Sequence, residues 1–143
     1  MRITKDVLKK IEEIAYSKDI EIGGILGVKN NNVVSYVVAD LPDNAIGCKF
    51  DYSPNIDFLN TQIEIWSEND IDFLGLFHTH FSGSKNLSDA DFEYIKAIMN
   101  ASKGIVECLY FPIFTLPDNE LTVYKAYFNG ADVAVDKDEL IIV

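Results

Sequence analysis

Hydrophobic positions along the chain change their period from segment to segment, and those changes mark out the elements. After Thr4, apolar residues fall at Val7, Leu8, Ile11, Ile14 and Ala15, a helical spacing with Thr4 as N-cap and Asp6 near the positive end of the dipole. This helix is expected to run to about Lys18. Glu21 to Val28 and Val33 to Val38 flank Lys29-Asn30-Asn31-Asn32, whose asparagines tolerate positive φ, so the segment reads as a hairpin. Gly23 and Gly24, paired inside the first strand, cost stability unless another backbone or a ligand approaches closely there. Leu41-Pro42-Asp43-Asn44 is loop-like, and Cys48 to Tyr52 reads as a third strand. Ser53-Pro54 gives an N-cap followed by proline at the first helical position, and Ile56, Leu59, Ile63 and Trp66 form the stripe of a second helix ending near Asn69-Asp70.

Ile71 to Phe77 is almost wholly apolar, the pattern of a strand covered on both faces. The stretch around Ser82-Gly83-Ser84 has few large apolar groups and reads as a loop. Ser88 then caps a third helix with Phe92, Ile95 and Met99 inward and Gly104 as terminator. Ile105 to Phe111 reads as a strand interrupted at Pro112, Pro117-Asp118-Asn119-Glu120 as a turn, Thr122 to Phe128 as a strand and Leu140 to Val143 as a last apolar piece. The expected class is α/β: a single mixed central sheet flanked by about three helices.

Composition narrows the function classes. With 143 residues, 48% of them hydrophobic and 24% charged, the chain fits one domain with a core that needs no crosslinks. No apolar run approaches the ~18 residues of a membrane span, and Met1 to Lys10 is not a secretory leader, so a soluble cytoplasmic protein with no membrane partner is expected. Cys48 and Cys108 lack CxxC spacing and read as packed reduced thiols. A net charge of -11 would repel a phosphate backbone, so no nucleic-acid partner is expected.

The chemistry gathers where the long apolar run ends, at Gly75-Leu76-Phe77-His78-Thr79-His80. His78 and His80 are the only histidines, and at i and i+2 on a strand both imidazoles point to one side while Thr79 points to the other. Two imidazoles on one face make half a metal site. A catalytic zinc site draws three protein ligands from His and Asp/Glu and leaves a fourth position for water. The acidic candidates nearby are Asp89, Asp91 and Glu93, in or beside the first turn of the third helix, and periodicity does not choose among them. Ser88-x-x-Asp91 is also, by itself, an ordinary capping pattern.

Glu21, then His78-Thr79-His80, seven residues, and Ser88-Asp89-Ala90-Asp91 together resemble the JAMM motif of the JAB/MPN metalloprotease superfamily. Glu21-Ile22-Gly23-Gly24-Ile25-Leu26-Gly27 is similar to the glutamate-bearing strand of that family, and the order of elements from Thr4 to about Gly104 is similar as well. The resemblance implies an MPN/JAB, cytidine-deaminase-like architecture with His78, His80 and Asp91 as ligands of Zn2+. It implies Glu21 as general acid/base and Ser88 as a hydrogen-bond donor to the oxyanion. The implied activity is that of a zinc-dependent peptidase or isopeptidase. Its expected partner is a protein substrate with an extended C-terminal tail, ubiquitin-like or sulfur-carrier-like. The alternatives are a noncatalytic MPN-type interaction module, or a zinc hydrolase acting on a small peptide. Many family members carry proline after the second histidine and before the serine, where this chain has Phe81 and Leu87. The chain is also short, with little room for the long insertions of ubiquitin-chain-specific members, so ubiquitin-linkage specificity is not expected. The loop His80-Phe81-Ser82-Gly83 is similar to that of the RadC-type branch linked to DNA repair, against which the acidic charge argues.

Overall fold

A computed structural model describes residues 1–41, 52–81 and 83–143. In chain order the elements are β1 (Arg2–Ile3), α1 (Lys5–Ala15), β2 (Gly23–Val28), β3 (Val33–Asp40), α2 (Ile56–Glu68), β4 (Asp72–His80) and α3 (Asp89–Ala101). There follow β5 (Cys108–Tyr110), β6 (Ile113–Thr115), β7 (Glu120–Asn129), β8 (Asp132–Asp138) and β9 (Ile141–Ile142). The strand expected at Cys48 to Tyr52 lies, apart from Tyr52, outside the described residues, as does the loop expected after Leu41.

The strands join in one mixed sheet in which β4 is central. It runs antiparallel to β2 on one side and parallel to β5 and β6 on the other. β2 continues through its hairpin to β3, then β1 and β9, while β7 pairs with β5, β6 and β8. Pro112, which has no N–H to give a ladder, separates β5 from β6, and its carbonyl accepts 3.1 Å from the His78 N–H. The sheet is thereby kept continuous beside the histidines.

Helices cover both faces. On one, Val7, Ile11 and Ala15 of α1 pack with Leu26, Val28, Val34, Phe77, Phe114 and Val123. On the other, Leu59 and Trp66 of α2 and Ile95 and Met99 of α3 pack with Ile25, Leu76, Leu109 and Phe111. The near-continuous apolar character of Ile71 to Phe77 follows from this double cover.

Several boundaries differ from the sequence reading. α1 ends at Ala15 rather than about Lys18, and β2 begins at Gly23, leaving Glu21 two residues ahead of it. α2 is capped by Asn55, whose Oδ1 accepts 3.1 Å from the Phe58 N–H, so Ser53 and Pro54 precede the helix. Ile56, placed in the buried stripe, is 55% exposed, and Phe92 of α3 is 36% exposed. β8 was not anticipated. It returns from β7 through Asn129-Gly130, where Gly130 takes φ +65°. The asparagine turn at 29–32 formed as expected, with Asn30 at φ +58°. Cys108 is a half-exposed free thiol, and Cys48 lies outside the described residues. Among the described residues no helix is long and apolar enough to cross a membrane.

Candidate metal centre

The alternation of β4 decides what its last residues meet. Leu76 belongs to the core beneath α2 and α3, and Phe77 to the core beneath α1. His78 and His80 therefore share the α3 side while Thr79 turns toward the other. Thr79 has its own task there. Its hydroxyl accepts 3.0 Å from the Ile22 N–H and donates to the Ile22 carbonyl at 3.3 Å, and its N–H donates to the same carbonyl at 2.9 Å. These bonds pin the residue next to Glu21 against the histidine pair.

From α3, Asp91 completes the group. His78 Nε2 and His80 Nε2 lie 2.9 Å apart, and each lies 3.2 Å from Asp91 Oδ2. All three residues are buried, Asp91 at 3% exposure. Ligand atoms at about 2.0–2.2 Å from a tetrahedral ion stand roughly 3.3–3.6 Å from one another, so this triangle needs only a few tenths of an ångström to accept one. Among the described residues it is where three metal-ligating side chains converge.

Each member is held from behind. The Ser88 N–H donates 2.8 Å to Asp91 Oδ2 and the Asp91 N–H donates 3.1 Å to Ser88 Oγ, a complete capping box. The capping and metal-ligand readings of Ser88-x-x-Asp91 are thus compatible in one geometry. His80 Nδ1 lies 2.9 Å from the Ser84 carbonyl and His78 Nδ1 lies 2.9 Å from the Tyr94 hydroxyl, which leaves both Nε2 atoms facing Asp91. Metal-binding histidines are typically tethered in this way.

The electrostatics follow from burial and from these contacts. Burial opposes ionisation of Asp91, but the hydrogen bonds from His78 and His80 and from the Ser88 N–H outweigh it and hold the carboxyl well below the usual range. Burial lowers the pKa of His78, only partly offset by Asp91. For His80 burial also acts downward, but Asp91, the Ser84 carbonyl and the field of Glu21 together raise it. The two imidazoles are thus shifted in opposite directions, His78 downward chiefly by burial and His80 upward by its partners.

Glu21 approaches the centre from the segment just ahead of β2. Its Oε2 accepts 3.2 Å from the Tyr52 N–H, and its charge is felt at both His80 and Tyr94. Tyr52 lies stacked near His78, centroids 6.0 Å apart at 15°, and donates 2.6 Å to the buried Asp40, which also accepts 2.9 Å from the Asn55 N–H. Here the paired glycines find their reason. A Cβ on Gly23 would come within 2.5 Å of the Tyr52 ring, and one on Gly24 within 2.6 Å of the Phe77 ring. Backbone closes in as well, as expected: the Phe77 carbonyl would lie 2.6 Å from a Cβ on Gly23 and the Val38 carbonyl 2.6 Å from one on Gly24. Asp89 and Glu93, the other acidic candidates, are exposed and not part of the cluster.

The loop joining the histidines to α3 is anchored despite its missing prolines. Phe81 packs on the α1-side core and Leu87 on the α2/α3-side core. Between them the Lys85 carbonyl accepts 2.6 Å from the Tyr124 hydroxyl, and Lys85 Nζ meets Glu120 at 2.5 Å.

The sequence matches no protein-family model and no curated protein at a significant level. Solved structures do match. A protein from Desulfitobacterium hafniense superposes with a TM-score of 0.72 at 19% identity, over 99% of this chain and 92% of that one. A JAB1/MPN domain protein from Archaeoglobus fulgidus gives 0.59 at 18%, over 100% and 97%. A structure described as JAMM, a metalloprotease-like zinc site in the proteasome and signalosome, gives 0.53 at 18%, over 100% and 97%. The chain therefore has an MPN/JAMM-type fold, and a buried His78–His80–Asp91 group of metal-binding geometry closes its central strand.

Proposed function

We propose that the protein is a zinc-dependent peptidase or isopeptidase that cleaves an amide at the C-terminus of a ubiquitin-like or sulfur-carrier-like protein. The observation that carries the reading is the Nε2, Nε2, Oδ2 triangle, with each ligand tethered from behind and Glu21 alongside. Two imidazoles and one carboxylate suit zinc, and leave a coordination position for water or substrate. When bound, zinc would lower the pKa of a water ligand from ~15.7 to near 7 and polarise the scissile carbonyl.

The chain's own groups supply the rest. Glu21 takes the proton of the attacking water and returns it to the leaving amine, and its tie to the Tyr52 N–H fixes the direction in which the carboxylate points. Ser88 donates its hydroxyl to the developing oxyanion. Its Oγ accepts from the Asp91 N–H, which does not use the hydroxyl's own proton. An extended tail suits a sheet-rich surface, because strand addition recognises backbone more than side chains.

The test is incubation of the zinc-loaded protein with linear and isopeptide-linked fusions of ubiquitin-like proteins, with and without a chelator. Chelator-sensitive release of the intact tag is expected. Zinc below stoichiometry that reconstitution cannot restore would overturn the catalytic reading in favour of an interaction module. Cleavage restricted to short peptides would move the substrate to that class.

A further inference from the structure

We infer that Tyr94 is a positioning residue for His78, its hydroxyl tethering the Nδ1 edge of that imidazole so that Nε2 is presented to the metal. The inference rests on reading His78, His80 and Asp91 as metal ligands, and goes beyond it by assigning a residue outside the ligand set. Tyr94 stands three residues after Asp91 on α3, so both side chains leave the same face of the helix. One helix thus supplies a ligand and the tether of another ligand.

The tether is firm because the phenol is itself held. Tyr94 Oη lies 2.9 Å from His78 Nδ1, and the two rings meet edge on, centroids 5.9 Å apart at 85°. Tyr94 also meets Tyr52 edge on at 6.1 Å and Phe111 at 6.3 Å. His78 is wholly buried, so its Nδ1 has no access to water as a substitute partner. The comparison with His80 defines the role. The Ser84 carbonyl only accepts, so it requires a proton on His80 Nδ1 and leaves the Nε2 lone pair facing inward. A phenol oxygen accepts as well, so when His78 coordinates through Nε2 its Nδ1–H donates to Tyr94. Phenylalanine would keep the ring packing and strand that N–H in a dry environment.

Zinc titration of the full chain against a chromophoric chelator tests this without any peptide substrate. Tyr94→Phe is expected to weaken zinc binding about 10–100-fold, the usual cost of losing an outer partner of a ligand. Tyr52→Phe, which leaves the ring against His78 but removes a hydroxyl directed to Asp40, is expected to bind zinc like the wild type. Nitrogen-15 spectra of the zinc-loaded wild type are expected to show His78 protonated at Nδ1 and coordinated at Nε2, a readout that needs no variant. Unchanged affinity in Tyr94→Phe, an equal loss in Tyr52→Phe, or coordination through Nδ1 would each overturn the role of Tyr94 while leaving the metal site standing. A wild type that binds no zinc would overturn both.

Discussion

Glu21 and Asp91 are carboxylates whose charges both act on His80, yet their surroundings differ. Asp91 is locked by the capping box and aimed at both Nε2 atoms, whereas Glu21 is outside that triangle and accepts from the Tyr52 N–H. Glu21→Gln is therefore expected to keep stoichiometric zinc while turnover falls by about 10²–10⁴-fold, the range for losing a general acid/base. Metal analysis beside a fusion-cleavage assay checks it, and full activity would remove Glu21 from proton transfer. Asp91→Ala should lose most zinc affinity while the exposed Asp89→Ala keeps it; the reverse result would move the third ligand along the helix. The histidine pair was legible in the sequence because a two-residue offset on a strand is a local relation, whereas Asp91 was set apart from Asp89 and Glu93, and Glu21 found at all, only through the resemblance to the JAMM pattern. Tyr52, Asp40, Ser84 and the clamp made by Thr79 were not legible, since each acts on a group brought near only by the fold. Tyr94 had a faint signal in its spacing from Asp91, which has no meaning until the helix face is known to meet His78.

At the level of elements, the β2 start is where packing leaves the least room. Gly23 pairs with His78 across the ladder and lies under the Tyr52 ring, with the Phe77 carbonyl 2.6 Å from where a Cβ would stand. Gly23→Ala is expected to destabilise the fold by about 1–3 kcal/mol, as overpacking does. Because the ring it displaces belongs to the residue that steers Glu21, activity should fall further than folded fraction; denaturant melts read beside cleavage rates would separate the two. Long periodic elements were readable because their pattern reports burial directly. α1 and β4 are clear cases. Asn55 replaced Ser53 as the cap of α2 because Asp40, remote in sequence, holds the Asn55 N–H and so fixes where the helix can begin. β8 escaped because Asp132, Asp136, Lys137 and Asp138 dilute the alternation of Val133 and Val135, although Asn129-Gly130 announced the turn. β1 and β9, two residues each, are too short to have a period.

For the whole molecule, metal and fold should be linked through protons. Zinc needs both imidazoles neutral. The raised pKa of His80 means that its protonated form persists above the ordinary value of 6.5, so the zinc-induced rise in Tm should be full above that raised pKa and shrink as pH falls through it. The depressed pKa of His78 acts the other way and adds no competition in that window. At a free zinc concentration 100-fold over Kd the stabilisation should be about 2.7 kcal/mol. Thermal melts across pH with and without zinc check it, and a zinc shift that grows on acidification would contradict the assignment of His80. The division of labour along the chain has one more consequence. His78, His80, Asp91 and their tethers Ser84, Ser88 and Tyr94 come from one continuous stretch, while Glu21, the proposed proton carrier, comes from the segment ahead of β2. On the proposed reading, holding an ion and moving a proton are thus separate inheritances: a descendant that lost Glu21 would keep the ligand triangle and the core, and turn from cutting to gripping by a single substitution.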